Sequence, residues 1–215
     1  MIEFRLFGIP VTVQPFHWLI LALFGFQWAG VGNREGLLIV ALFILAGFIS
    51  ILVHEIGHAL TGRKFGAGNP EIVLHGMGGV AIFPRAHFSR KESFLMTAAG
   101  PGIQIVLGLI AWLILNKVAL PPTYIKTFFF FLMMVSIFWA VINLVPVWPL
   151  DGGQMMAAVL GERRAALTHQ ISIGVAIALG IFTLASGQIF IALILGFCAY
   201  QNYQALQQYN NNRWH

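Results

Sequence analysis

Long apolar runs alternate with short polar breaks along this chain, and the runs set its architecture. They fall at roughly 16–31, 37–61, 93–116, 127–148, 167–186 and 188–206. A helix that crosses the hydrocarbon core needs about 20 residues, so the pattern predicts about six transmembrane helices. The first is short. Only Ser186-Gly187-Gln188 separates the last two, which makes an antiparallel helix pair over 167–206.

Two stretches depart from the helical pattern. Residues 2–13 alternate loosely around Gly8-Ile9-Pro10 and predict a short N-terminal β-hairpin. Gly66-Ala-Gly-Asn-Pro70 stops the second helix. Two β-prone segments, 71–75 and 80–83, then flank Gly76-Met-Gly-Gly79, which predicts a glycine-turned β-hairpin over 71–84. Non-helical backbone persists at membrane depth only against protein or a water-filled cavity. The hairpin is therefore read as re-entrant, with a cytoplasmic loop as the plainer alternative. The expected fold is an all-α polytopic membrane protein carrying these two hairpins. It forms one domain over 1–215, with a core at about 37–160 and a C-terminal helix pair.

Composition agrees. The chain is 59% hydrophobic and 9% charged, against about 25% charged in soluble domains. The net charge of +5 comes with no basic arm or cluster, so no nucleic-acid partner is expected; basic loops instead report orientation. Arg5, Arg63, Lys64, Arg85, Arg90, Lys91, Arg163, Arg164 and Arg213 fall on the side of the N-terminus and the loops after helices two, four and six. Arg34, Lys117 and Lys126 fall on the other. Both termini are expected in the cytoplasm, in a prokaryotic plasma membrane. The opening Met1-Ile-Glu-Phe-Arg5 lacks a signal-peptide pattern, so the first run is expected to be a retained span. The single cysteine, Cys198, excludes an intramolecular disulfide and reads as a small core residue.

The chemistry sits at the end of the second apolar run, in Val53-His54-Glu55-Ile-Gly-His58. Histidines four apart lie one turn apart on one helix face. They can hold one Zn²⁺, with the intervening glutamate as general base. A second ionisable group, Asp151, stands in Asn143-Leu-Val-Pro146-Val-Trp-Pro149-Leu-Asp151-Gly-Gly153. Two prolines and two glycines must interrupt the fourth helix there. From that segment alone two readings stand: a third metal ligand aimed inward, or a loop aspartate capping the next helix.

Taken together, these motifs resemble the site-2 protease family of intramembrane zinc metalloproteases, in a compact form without a PDZ-sized insertion. The resemblance rests on His54-Glu55-x-x-His58, Gly76-Met-Gly78, and Asn143-x-x-Pro146-x-x-Pro149-Leu-Asp151-Gly152. Leu6-Phe-Gly-Ile-Pro-Val and Ala99-Gly-Pro101 add to it. It implies that His54, His58 and Asp151 bind Zn²⁺, that Glu55 activates water, and that Asn143 supports the substrate or the oxyanion. It also implies cleavage of a membrane-spanning protein substrate, as a regulator or a signal-peptide remnant, with a membrane regulator protein as a further partner. Where the family often has Asn after its Gly-Pro pair, this chain has Gln104. The 71–84 hairpin, through Ile72, Val73, Gly76 and Gly78, is expected to offer an edge strand to unwound substrate.

Two rivals remain. One is another membrane zincin with Glu92 or Glu162 as a distant ligand. The other is a non-catalytic membrane metal-binding protein or transporter. Among the other histidines, His17 reads as interfacial beside Trp18, His87 and His169 as loop residues, and His75 as placed near the hairpin turn.

Overall fold

The structure, a computed structural model, describes residues 1–30, 34–84, 86–121 and 124–211. Arg85, Arg213 and the C-terminal His215 lie outside the described residues. The elements run β1 (Ile2–Leu6), β2 (Ile9–Val13), α1 (Pro15–Gly25), α2 (Arg34–Lys64), β3 (Glu71–His75), β4 (Gly78–Ile82), α3 (Arg90–Lys117), α4 (Tyr124–Asn143), α5 (Asp151–Leu160), α6 (Ala165–Ala185) and α7 (Ile189–Asn211). They form two compact units, Met1–Phe88 with Ala99–Val141, and Ser89–Ala98 with Ile142–His215.

Four helices among the described residues are long and apolar enough to cross a membrane: Arg34–Lys64, Arg90–Lys117, Tyr124–Asn143 and Glu162–Ala185. The sequence pattern suggested six. The first apolar run folds as the 11-residue α1 and a 3-10 turn over Phe26–Trp28. The last run folds as α7, whose C-terminal half carries Gln201, Asn202, Gln204, Gln207 and Gln208. The fourth run stops at Asn143, short of Pro146 and Pro149, and resumes as the separate α5.

In the first unit the two predicted hairpins join one four-stranded sheet, ordered β1-β2-β3-β4. β2 and β3 pair in parallel, with Val11 opposite Ile72 and Val13 opposite Leu74. The fold is mostly helical rather than all-α. The inward alternates Ile9, Val11, Val13, Ile72 and Leu74 pack with Leu21 of α1 and with Ile51, Leu52, Ile56 and Ala59 of α2. The sheet therefore lies along the C-terminal half of α2 rather than beyond its end. α1 starts at that level and runs back beside α2, with Gly25 against Val40 and Leu21 against Gly47. Its 11 residues rise only about 16 Å. A second core, built on Phe43, Ala46, Ala111, Phe131, Leu132 and Val135, joins α2, α3 and α4.

The register corrects one expectation. β3 is an inner strand, paired with β2 on one side and β4 on the other. Ile72 is buried and Val73 is paired on both sides, so neither offers a free edge. The free edge of this hairpin is β4.

In the second unit α6 and α7 form an antiparallel pair turned at Gly187, which has φ +76°. His169 meets Asn202 near one end of the pair, and Gly180 faces Leu195 near the other. Cys198 is buried with Val147, Ala176 and Ala199, the core role its composition suggested.

Candidate active site

α2 carries the first part of the site because it is apolar on nearly every side. A helix of that kind is stable only when buried, so polar residues placed on it are forced inward. Ser50, His54, Glu55 and His58 are all buried. The Nε2 atoms of His54 and His58 stand 3.0 Å apart, with the rings edge to face. Zn–N bonds of about 2.0–2.1 Å at a tetrahedral angle would separate two such nitrogens by about 3.3 Å. The pair therefore fits a zinc ion on the chemistry and the span of its donors.

Small residues make room for these side chains. Gly57 lets α3 approach, since a Cβ there would lie 2.7 Å from the Ala99 carbonyl oxygen. Gly100 of α3 packs on the His58 ring, and a Cβ there would collide with Nε2. Gly79 of β4 lies over Glu55; a Cβ there would stand 2.5 Å from Glu55 Cγ and 2.7 Å from Oε1. The glycine-rich start of β4 thus roofs the Glu55 carboxylate. Gly78 at φ +127° sits beside Trp139, and Gly76 lies against Phe16 and Ile20 of α1.

Behind His54 a buried polar chain crosses three helices. His54 Nδ1 and Gln104 Oε1 are 2.9 Å apart. Gln104 Nε2 donates to Ser50 Oγ at 2.9 Å and to the Ser50 carbonyl at 3.3 Å. Ser136 of α4 donates to the same Ser50 hydroxyl at 3.0 Å. Sequence reasoning passed over Ser50 and Ser136 and left Gln104 without a role. The available signal was polarity: Gln104 and Ser136 interrupt otherwise apolar helices.

His17 and His75 have structural work. His17 is buried, not interfacial, and its Nδ1–H donates to the His75 carbonyl at 3.1 Å. That bond ties the start of α1 to the β3–β4 turn. Burial lowers the His75 pKa from its usual value, and its Nδ1 accepts the Met77 N–H at 3.2 Å.

In the second unit Asp151 opens α5 and is buried. The N-cap position of α5 is Leu150, which places Asp151 in the first turn. A carboxylate in the first turn lies at the positive end of the helix dipole. The chain doubles back sharply before it. A Cβ at Gly152 would collide with the Leu144 carbonyl, and one at Gly153 with the Trp148 nitrogen. Asn143 ends α4 just ahead of this loop. The helix pair pins the loop: the Trp148 N–H donates to Ser172 Oγ at 3.0 Å, and Asn202 Nδ2 donates to the Trp148 carbonyl at 2.7 Å. His169 Nδ1–H holds Asn202 Oδ1 at 2.9 Å.

Comparison with known proteins gives a consistent picture. Residues 117–187 match the model of Peptidase family M50. A zinc metalloprotease of Methanocaldococcus jannaschii is 23% identical over 198 residues, covering 89% of this chain and 55% of that protein. Stage IV sporulation protein FB of Bacillus subtilis is 30% identical over 149 residues, 69% of this chain and 46% of that one. The chain spans about half the length of the curated relatives it matches. The solved site-2 protease from Methanocaldococcus jannaschii shares its fold, with a TM-score of 0.67 at 22% identity over 95% of this chain and 94% of that one.

Proposed function

Because the chain belongs to the site-2 protease family of zinc metalloproteases, we propose that it hydrolyses a peptide bond within or near a transmembrane segment of another membrane protein. The observation that carries this reading is the arrangement on α2: two buried imidazoles with facing Nε2 atoms and, beside them, a buried glutamate roofed by a strand edge. A metal carrier has use for the imidazoles but none for a general base under a strand.

We assign His54, His58 and Asp151 as the zinc ligands; the donor set supports this, since two imidazoles and one carboxylate are a common catalytic zinc set. The bound metal would supply a water of lowered pKa and polarise the scissile carbonyl. Glu55 takes the proton from the attacking water and delivers it to the leaving nitrogen as the C–N bond breaks. Asn143 donates its side-chain amide N–H to the developing oxyanion. A helical substrate hides its peptide bonds and must unwind before any of these groups can reach them. The free edge of β4 then pairs with the unwound segment by strand addition. We place the N-terminus on the cytoplasmic face of a prokaryotic plasma membrane, from the basic bias, and a membrane-bound regulator among the partners.

Two variants test the assignment on purified protein and on membranes. Glu55→Gln is expected to keep its zinc and to lose activity by about 10²–10⁴-fold, the usual contribution of a positioned acid or base. Asp151→Asn is expected to lose both zinc and activity. Membrane-retained substrate fragments should appear in cells carrying the native chain and be absent with Glu55→Gln. Native fragment levels in Glu55→Gln, or full zinc in Asp151→Asn, would overturn the corresponding role.

A further inference from the structure

Gln104 reaches His54 through an amide whose orientation is fixed by its other neighbour. A backbone carbonyl can only accept a hydrogen bond. The Ser50 carbonyl, 3.3 Å from Gln104 Nε2, must therefore face the amide nitrogen rather than the amide oxygen. Ser50 Oγ lies 2.9 Å from the same nitrogen and also accepts from Ser136. With Nε2 turned to α2 in this way, Oε1 is left facing His54 Nδ1 at 2.9 Å. An amide oxygen only accepts, so Nδ1 must carry the proton and donate it. The lone pair of His54 is thereby confined to Nε2, the atom that faces His58.

From this chain of contacts we infer that Gln104 is a positioning residue for metal binding. It fixes both the tautomer and the ring plane of His54, and the Ser50–Ser136 pair fixes Gln104 in turn. All four side chains are fully or almost fully buried, so water does not substitute for a missing partner. Histidines that bind metals commonly donate the second ring N–H to a carboxylate or carbonyl, and loss of that partner costs about 10–100-fold in metal affinity. Here a neutral amide on α3 takes the part, and its extra methylene relative to Asn is what spans from α3 to α2. Ser136 extends the bracing to α4, so three helices hold one imidazole.

The inference rests on His54 being a zinc ligand, and one experiment separates the two claims. Zinc affinity is measured by chelator competition on the full detergent-solubilised chain, as native protein and as His54→Ala, Gln104→Leu, Gln104→Glu and Gln104→Asn. His54→Ala tests the ligand assignment itself; native affinity in that variant overturns the assignment and this inference with it. If His54→Ala loses zinc, Gln104→Leu, which removes the acceptor at similar volume, is expected to weaken binding about 10–100-fold. Gln104→Glu keeps an acceptor at Nδ1 but gives up the N–H that holds it to Ser50, so it is expected to lose less affinity than Gln104→Leu. Native affinity in Gln104→Leu, or equal losses in Leu and Glu, overturns the positioning role while leaving His54 as a ligand. Should Gln104→Leu fail to fold, Gln104→Asn decides. It keeps the amide but withdraws it by one methylene, and native affinity there overturns the inference.

Discussion

At the scale of single residues, the site is shaped as much by what glycine omits as by what histidine and glutamate supply. Gly79 and Gly100 each lie against a different functional group, and the difference makes a sharp prediction. Gly79→Ala drives a methyl group into Glu55 Cγ and Oε1, so the carboxylate or the strand must move. Proteolysis is expected to fall at least tenfold, within the range a misplaced base costs, while zinc stays bound. Gly100→Ala drives the same methyl into His58 Nε2, and zinc content itself should drop. Metal analysis alongside a cleavage assay distinguishes the two; equal zinc loss in both variants would show that the glycines only support packing. The histidines and Glu55 were legible in the sequence because their spacing is a local chemical pattern. Gly79 and Gly100 were visible only as parts of motifs, since what a glycine makes room for depends on which element crosses it.

At the scale of elements, sheet pairing decides where a substrate can add a strand. A two-residue turn at Gly76-Met77 makes the closing pair His75–Gly78 hydrogen-bonded, and bonded and non-bonded pairs then alternate. By that alternation the Gly79 and Ala81 N–H groups point away from β3, toward the free edge. Ala81→Pro removes one outward donor and leaves the β3–β4 ladder intact, a position where a strand tolerates proline. Cleavage is expected to fall several-fold with zinc unchanged, and unchanged cleavage would remove the capture role from β4. Both hairpins were readable from alternation and turn glycines. Their union was not, because parallel pairing of Val11 with Ile72 joins segments far apart in the chain and leaves no local trace. The broken fourth helix was readable from Pro146 and Pro149, whereas the bracing of that loop by α6 and α7 was not. Asn202 illustrates it. Its amide bonds the Trp148 and Cys198 carbonyls and takes the His169 N–H. Asn202→Ala should destabilise the protein by about 1–3 kcal/mol, the usual cost of leaving buried polar groups unpaired, read as a lower midpoint in thermal denaturation in detergent.

At the scale of the whole molecule, the sheet constrains the path of the chain through the membrane. β2 and β3 belong to one sheet, and the Arg63 guanidinium donates to the Phe7 carbonyl at 2.9 Å. The N-terminal hairpin and the end of α2 are therefore on one side. α2, 31 residues long, is long and apolar enough to cross a membrane; with α2 as a span, the chain between β2 and α2 must return to the far side first. α1 manages this with 11 residues because it starts at the level of Ile51 and Ile56 rather than at the membrane surface. The basic residues then choose the side. Arg5, Arg63 and Lys64 lie at the sheet end of this unit, and Arg34, Lys117 and Lys126 at the other. Since positive charge is retained in the cytoplasm, the sheet end is predicted to face inward. In a Cys198→Ser background, Glu3→Cys and Lys117→Cys report the two ends. A membrane-impermeant maleimide added to intact cells is expected to label position 117 and spare position 3, and permeabilised cells should label both. Labelling of position 3 from outside would invert the topology and place Glu55 toward the opposite leaflet, which changes the class of substrate segment that can reach it.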